Sequence, residues 1–116
     1  MEYPRGAVLA SAVVRDRKIP NGGDTRYMLF VIIGYDGPEG AKLRPSVRPA
    51  HLENLKPLID QGRMIIGGPF TDGAGSLMIV DMESEAAAQE FAQTDPYMKQ
   101  GVFTRVEVRP FRQVVP

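Results

Sequence analysis

The chain has 116 residues, which fits one domain and excludes two. With 43% hydrophobic residues it can bury a core without staples, and fourteen Lys plus Arg against fourteen Asp plus Glu exclude the basic footprint of a nucleic-acid or membrane-surface binder. No cysteine and a single histidine exclude disulfides, thiolate chemistry and any multi-His metal centre within one chain.

Residues 1–26 read as an N-terminal extension, either flexible or adding one strand at Ala7 to Val14, followed by the turn-rich Ile19-Pro20-Asn21-Gly22-Gly23-Asp24. The stretch before Ala7 lacks the positive region of a secretory signal, and no apolar run is long enough to span a bilayer. The expectation is a cytoplasmic protein whose domain occupies residues 27–116.

Tyr27 to Gly34 is β-branched and aromatic at both parities, which predicts a strand covered on both faces. After a polar loop, Arg48-Pro49 predicts a helix start with proline in the first turn. Leu52, Leu55, Leu58 and Ile59 supply its stripe, Gly62 its C-terminal cap, and Pro57 a kink. Arg63 to Gly67 and Leu77 to Met82 predict two strands joined by the Gly68 to Gly75 hairpin. Ser84 predicts an N-cap for a second helix that ends at Asp95-Pro96, with one further turn to Gln100. Val102 to Arg109 alternates apolar and polar residues, as an edge strand does.

The order βαββαβ predicts an α+β, ferredoxin-like fold, an antiparallel four-stranded sheet with two helices on one face. The strands apolar at both parities are the first and third, which this topology makes central. The sheet's other face then needs a cover, and a homodimer packed sheet to sheet supplies one.

The same topology brings the ends carrying Asp36, Arg44, Arg48, His51, Asp95, Tyr97 and the Gly68 hairpin to one rim. His51, placed by this reading in the first turn of its helix, is the one side chain suited to proton transfer near neutral pH. A carboxylate touching it would fix its tautomer, and Asp95 is the candidate, although Asp-Pro is equally a helix-capping signal. Arg44 and Arg48 are candidates to hold an anionic oxygen near a helix N-terminus, or ordinary solvated arginines. Asp36 can be a second acid at the mouth or a turn residue. Gly68 can admit a ligand to the backbone, but no phosphate-loop motif follows it. Tyr97 can stack on a ligand or pack in the core.

The phrases Ser46-Val47-Arg48-Pro49-Ala50-His51-Leu52, Gly62-Arg63, Gly68-Pro69, Asp95-Pro96-Tyr97, Gly101-Val102 and Arg109-Pro110-Phe111 resemble the YciI-like (YCII-related) family of the dimeric α/β-barrel superfamily. The likeness covers Tyr27 to about Gln113. It implies a protomer dimerised through its sheets, and a pocket whose His and Asp form a proposed catalytic dyad. The His matches His51; Asp95 is the choice for the acid and Asp36 the reserve. Relatives with an assigned reaction handle small cyclic or aromatic substrates, among them a dehydrochlorinase of chlorinated hydroxyquinol. The expectation is a lyase-like or isomerase-like enzyme without cofactor or metal, using His51 and Asp95 on a small anionic ring. The alternative is a non-catalytic module that binds a small molecule or another protein.

Overall fold

The computed structural model describes residues 28–116. Tyr27 and the strand expected at Ala7 to Val14 lie outside the described residues. The elements are β1 (Met28–Asp36), α1 (Gly40–Asp60), β2 (Met64–Pro69), β3 (Gly75–Met82), α2 (Glu85–Thr94), α3 (Pro96–Lys99) and β4 (Phe103–Phe111). Strand order is β2-β3-β1-β4, every pairing antiparallel, so the ferredoxin-like α+β arrangement holds and the two strands apolar at both parities are central.

Side chains of β1 alternate across the sheet. Phe30 and Ile32 join Met78, Val80 and Met82 of β3 under Leu55 and Leu58 of α1 and Ala88 and Ala92 of α2, one continuous core. The small α2 residues let that helix lie close to the sheet. Phe30, Ile32 and Val80 are at most 2% exposed, and each contributes about 1.5 to 3 kcal/mol of burial, an upper figure because unfolded chains already hide some surface. The opposite parity of β1 and β3, Val31, Ile33, Leu77 and Ile79, is half-buried on the face away from the helices. Toward β4 that face turns polar: the Tyr35 hydroxyl donates to Glu107 Oε1 at 2.9 Å, and the Arg105 guanidinium lies 3.9 Å over the Tyr35 ring.

The helix ends follow local chemistry. Gly62 adopts φ 72°; its N–H donates to Ile59 O at 3.0 Å and that of Arg63 to Leu58 O at 2.8 Å, the paired bonds of a Schellman ending. Ser84 Oγ accepts from Ala87 N–H at 3.0 Å and starts α2. The start of α1 departs from the sequence reading. The helix begins at Gly40, not at Arg48-Pro49, and carries Pro45, Pro49 and Pro57 inside it, continuing through Pro57 to Asp60. Each proline removes one i to i−4 bond, but Gly40, Val47, His51, Leu55 and Leu58 are buried along one stripe, and that packing outweighs the missing bonds. No helix among the described residues is long and apolar enough to cross a membrane.

Candidate active site

The early start of α1 decides where its functional side chains stand. His51 is the twelfth residue of the helix rather than part of its first turn, so the expected influence of the helix N-terminus on its ring does not apply. Spaced four from both Val47 and Leu55, His51 points into the sheet-facing stripe and is 9% exposed. The position costs the chain an apolar residue in its core stripe and leaves a polar ring that needs a partner there.

Asp95 supplies it. His51 Nδ1 lies 2.8 Å from Asp95 Oδ1 and 3.0 Å from Oδ2. Oδ1 also accepts the Tyr97 N–H at 2.8 Å, because Asp95 is the N-cap of α3. Asp95 thus both caps α3 and meets the imidazole, and the cap fixes the carboxylate that does so. Asp95 is 1% exposed; an ionised group there requires such compensation. With Nδ1 donating to the carboxylate, Nε2 is the ring nitrogen left for the cavity, in its lone-pair form when the ring is neutral. Tyr97 stacks on the imidazole with centroids 3.9 Å apart and planes 6° apart. Phe103 meets Tyr97 edge-on at 5.4 Å.

A second cluster stands beside the first. Arg44 Nε and Nη2 donate to the two oxygens of Asp36 at 2.9 and 2.8 Å, a bidentate pair, and Nη2 also reaches Ser76 Oγ at 3.0 Å. The Asp36 carboxylate so bonded holds the Arg44 guanidinium above its ordinary range, with partial burial opposing. Arg44 Cζ lies 5.0 Å from the Tyr97 ring centroid and 5.8 Å from that of Phe103. Asp36 is thus committed to Arg44, while His51 is paired with Asp95. The β1–β4 register shifts between Tyr35 and Asp36, where Thr104 is the extra residue on β4, and the Asp36 carboxylate comes within 2.7 Å of where a Cβ on Gly40 would stand, so a larger residue there would displace it.

A cavity of about 710 Å³ opens between α1 and the edge strand β2. Arg44, Arg48, His51, Tyr97, Ser76 and Gly68 border it at one end, and Leu52, Leu55, Ile59, Met64 and Met78 line the rest. Arg48 is exposed, on a middle turn of α1, not at the helix N-terminus. Gly68 pairs with Leu77, on the far side of the sheet, and a Cβ there would meet nothing within 4 Å. Gly67, paired with Met78, has its Cβ direction on the cavity side, so Gly68 borders the cavity through its backbone alone. Among the described residues no group of three or more His, Cys, Asp or Glu could hold a metal ion.

Sequence reasoning missed Ser76, Phe103 and Gly34. A Cβ on Gly34 would overlap the Phe103 ring, so this glycine in a central strand makes the space for the ring that backs Tyr97. Glycine inside an apolar strand was the available signal, since it marks a close approach.

A model of the YCII-related domain matches residues 28–112 of the chain. Protein YciI of Escherichia coli O6:H1 is 42% identical over 97 residues, covering 75% of this chain and 99% of that protein. Derivative of benzaldehyde biosynthesis cluster protein C of Emericella nidulans is 36% identical over 83 residues, 61% of this chain and 85% of the other. Among solved structures, 5-chloro-2-hydroxyhydroquinone dehydrochlorinase of Burkholderia phenoliruptrix AC1100, in complex with 2,5-dihydroxybenzoquinone, superposes with TM-score 0.66 at 30% identity. That match covers 75% of this chain and 96% of the dehydrochlorinase.

Proposed function

The chain belongs to the YCII-related domain family, and on that premise we propose that it is an acid–base enzyme, of lyase or isomerase type, acting on a small anionic cyclic or aromatic substrate. One observation carries the reading: a buried imidazole, held through Nδ1 by a carboxylate that is itself fixed by a helix cap, borders a cavity large enough for substrate. The likeness to a dehydrochlorinase with a dihydroxyquinone ligand supports the substrate class.

In this reading Asp95 accepts the hydrogen bond from Nδ1–H, fixes the tautomer and balances the charge that His51 gains. Nε2 takes a proton from a ring hydroxyl or ring carbon. The electron pair released moves into the ring and the imidazolium reprotonates a ring carbon, giving the keto tautomer; where that carbon bears a leaving group, Nε2 then takes a second hydroxyl proton and the group departs as its anion, leaving a quinone. Arg48 attracts the anionic oxygen. Arg44, its charge already met by Asp36, positions Tyr97, which in turn supports the imidazole from one face. No cofactor is required by these steps. A homodimer belongs to the same proposal, because a second copy laid on Val31, Ile33, Leu77 and Ile79 would cover a half-buried apolar face.

The test is chloride release from 5-chloro-2-hydroxyhydroquinone and isomerisation of related quinols, in wild type and His51→Ala. Turnover that vanishes in a variant that stays folded, with the sedimentation coefficient unchanged and the melting temperature lowered only by the loss of the Asp95 contact, supports the proposal. Full turnover by the variant, or a large stability loss without any wild-type activity, assigns the pair to structure alone.

A further inference from the structure

The cavity is not uniform along its length. Its α1 wall runs Arg44, Arg48, His51, Leu55, Ile59, so the lining passes from guanidinium through imidazole to aliphatic within one helix face. Only Gln61, Gly62 and Arg63 separate α1 from β2, so Met64 at the start of β2 stands at the Ile59 end while Pro69 lies toward the arginines. Met78 floors this apolar half. Leu52 and Ile59 are 46% and 52% exposed. Scattered exposed leucines need no explanation, but these two border the same cavity as the candidate base and continue its lining. From His51 to Ile59 is eight residues, or about 12 Å of helix. The whole cavity, about 710 Å³, falls in the size class that encloses drug-sized ligands and not a lone six-membered ring. At the other end, no carboxylate among the described residues pairs with Arg48, whereas Arg44 is taken by Asp36.

We infer that the substrate is amphipathic: an anionic ring that meets His51 and Arg48, bearing an apolar alkyl or aryl substituent that lies along the groove between α1 and β2 from Leu52 to Ile59. This rests on the proposed role of His51 and adds the substrate's shape. The ring alone would leave the aliphatic half of the cavity wetted; a substituent of several carbons removes that surface from water. The groove therefore selects among ring substrates by their side chain.

Isothermal titration of the full chain with 2,5-dihydroxybenzoquinone and its 3-methyl, 3-propyl and 3-hexyl derivatives tests this. Burial of each methylene should tighten binding roughly two- to fourfold, so that the hexyl compound binds at least about thirtyfold tighter than the methyl. In the Leu52→Asn/Ile59→Asn double variant the dependence on chain length should fall clearly below that of wild type. Both side chains are about half exposed, so the fold does not hinge on them. A flat series in wild type, with the unsubstituted ring still bound, overturns the inference and means that another part of the chain or a second copy fills the groove. A slope that survives undiminished in the double variant overturns it as well, because the substituent then lies elsewhere. Failure of the proposed enzyme is read separately, from turnover by His51→Ala.

Discussion

The imidazole of His51 and the phenol ring of Tyr97 lie parallel, 3.9 Å apart, and one carboxylate oxygen of Asp95 binds both residues, through Nδ1 of the first and the backbone N–H of the second. The two-residue step from Asp95 to Tyr97 at the start of α3 thus places both the carboxylate and the phenol ring against the imidazole of His51 on α1. An imidazole held on one face by an aromatic ring and at one nitrogen by a carboxylate keeps Nε2 as its remaining ring nitrogen.

That arrangement makes Asp95→Asn an informative substitution. Asparagine caps helices as well as aspartate does, so α3 should persist, with the melting temperature falling by a few degrees. The amide can present either an acceptor or a donor to Nδ1 and gives the imidazolium no counter-charge. Turnover should drop about 10²- to 10⁴-fold, by analogy with carboxylate loss from triads. Nitrogen NMR of the ring should show the Nδ1–H tautomer in wild type and a mixture in the variant. A variant that keeps full turnover would remove Asp95 from the mechanism.

Arg44 is predicted to matter for structure before it matters for chemistry. Replacing it by Met strands the Asp36 carboxylate, whose side chain is 9% exposed. Breaking a buried pair costs about 3 to 5 kcal/mol, and since Arg44 is itself partly exposed the expectation here is about 1.5 to 3 kcal/mol. Asp36→Asn in the Arg44→Met background should recover part of this loss, a coupling measured by denaturant titration of the double-mutant cycle. The raised Arg44 pKa sets the sign at high pH. Its stabilisation is complete below the guanidinium's unfolded value and is lost only above the folded one, so the contact should not weaken on going from neutral to moderately alkaline pH. Additive effects of the two substitutions would show that the ion pair contributes nothing.

Much of the fold was legible because the relevant signals are local. Both parities of β1 and β3 are apolar, β4 alternates, and Gly62 and Ser84 mark helix ends, so order and centrality followed from pattern alone. The first two turns of α1 were hidden because the residues after Gly40 read as a polar loop and Pro49 as the start of the helix. The stripe that overrides those signals, Val47 to His51 to Leu55, becomes evident only once the sheet beneath is known. The convergence of the candidate side chains was legible and their pairings less so. Asp36 and Arg44 lie eight residues apart across a bulge and a helix start, and no periodicity brings their charged ends together. The contact between His51 and Asp95 spans 44 residues and was suggested by the topology, which brings both to one rim, and by the family likeness, not by spacing.

Two glycines that sequence treats alike should behave differently. Gly34→Ala puts a methyl into the Phe103 ring, which is 3% exposed and packed against Tyr97, so something must shift. Overpacking of this kind costs about 1 to 3 kcal/mol, and the displaced Tyr97 should also lower kcat. Gly68→Ala meets open space and should leave stability within about 0.5 kcal/mol of wild type. Thermal melts of the two variants decide the matter. Equal losses would mean that the space around Phe103 is looser than the packing implies.

The polar corner of the open sheet face gives the clearest pH signature. Glu107 has its pKa lowered, first by the hydrogen bond from the Tyr35 hydroxyl and then by that from Arg109. A carboxylate whose folded pKa lies below its unfolded one adds stability that is present above the unfolded value, ordinarily 4.5. That stability is lost as pH falls through the folded value. Tyr35→Phe removes the larger cause and leaves the ring under Arg105, so the Glu107 midpoint followed by carboxyl NMR should move up toward its ordinary value. Arg109→Met should move it less, and added salt should shrink the Arg109 contribution while leaving the hydroxyl bond in place, because exposed charges are screened and a neutral donor is not. A midpoint that ignores Tyr35→Phe but follows salt would reverse the order of the two causes and make the corner an ordinary surface ion pair.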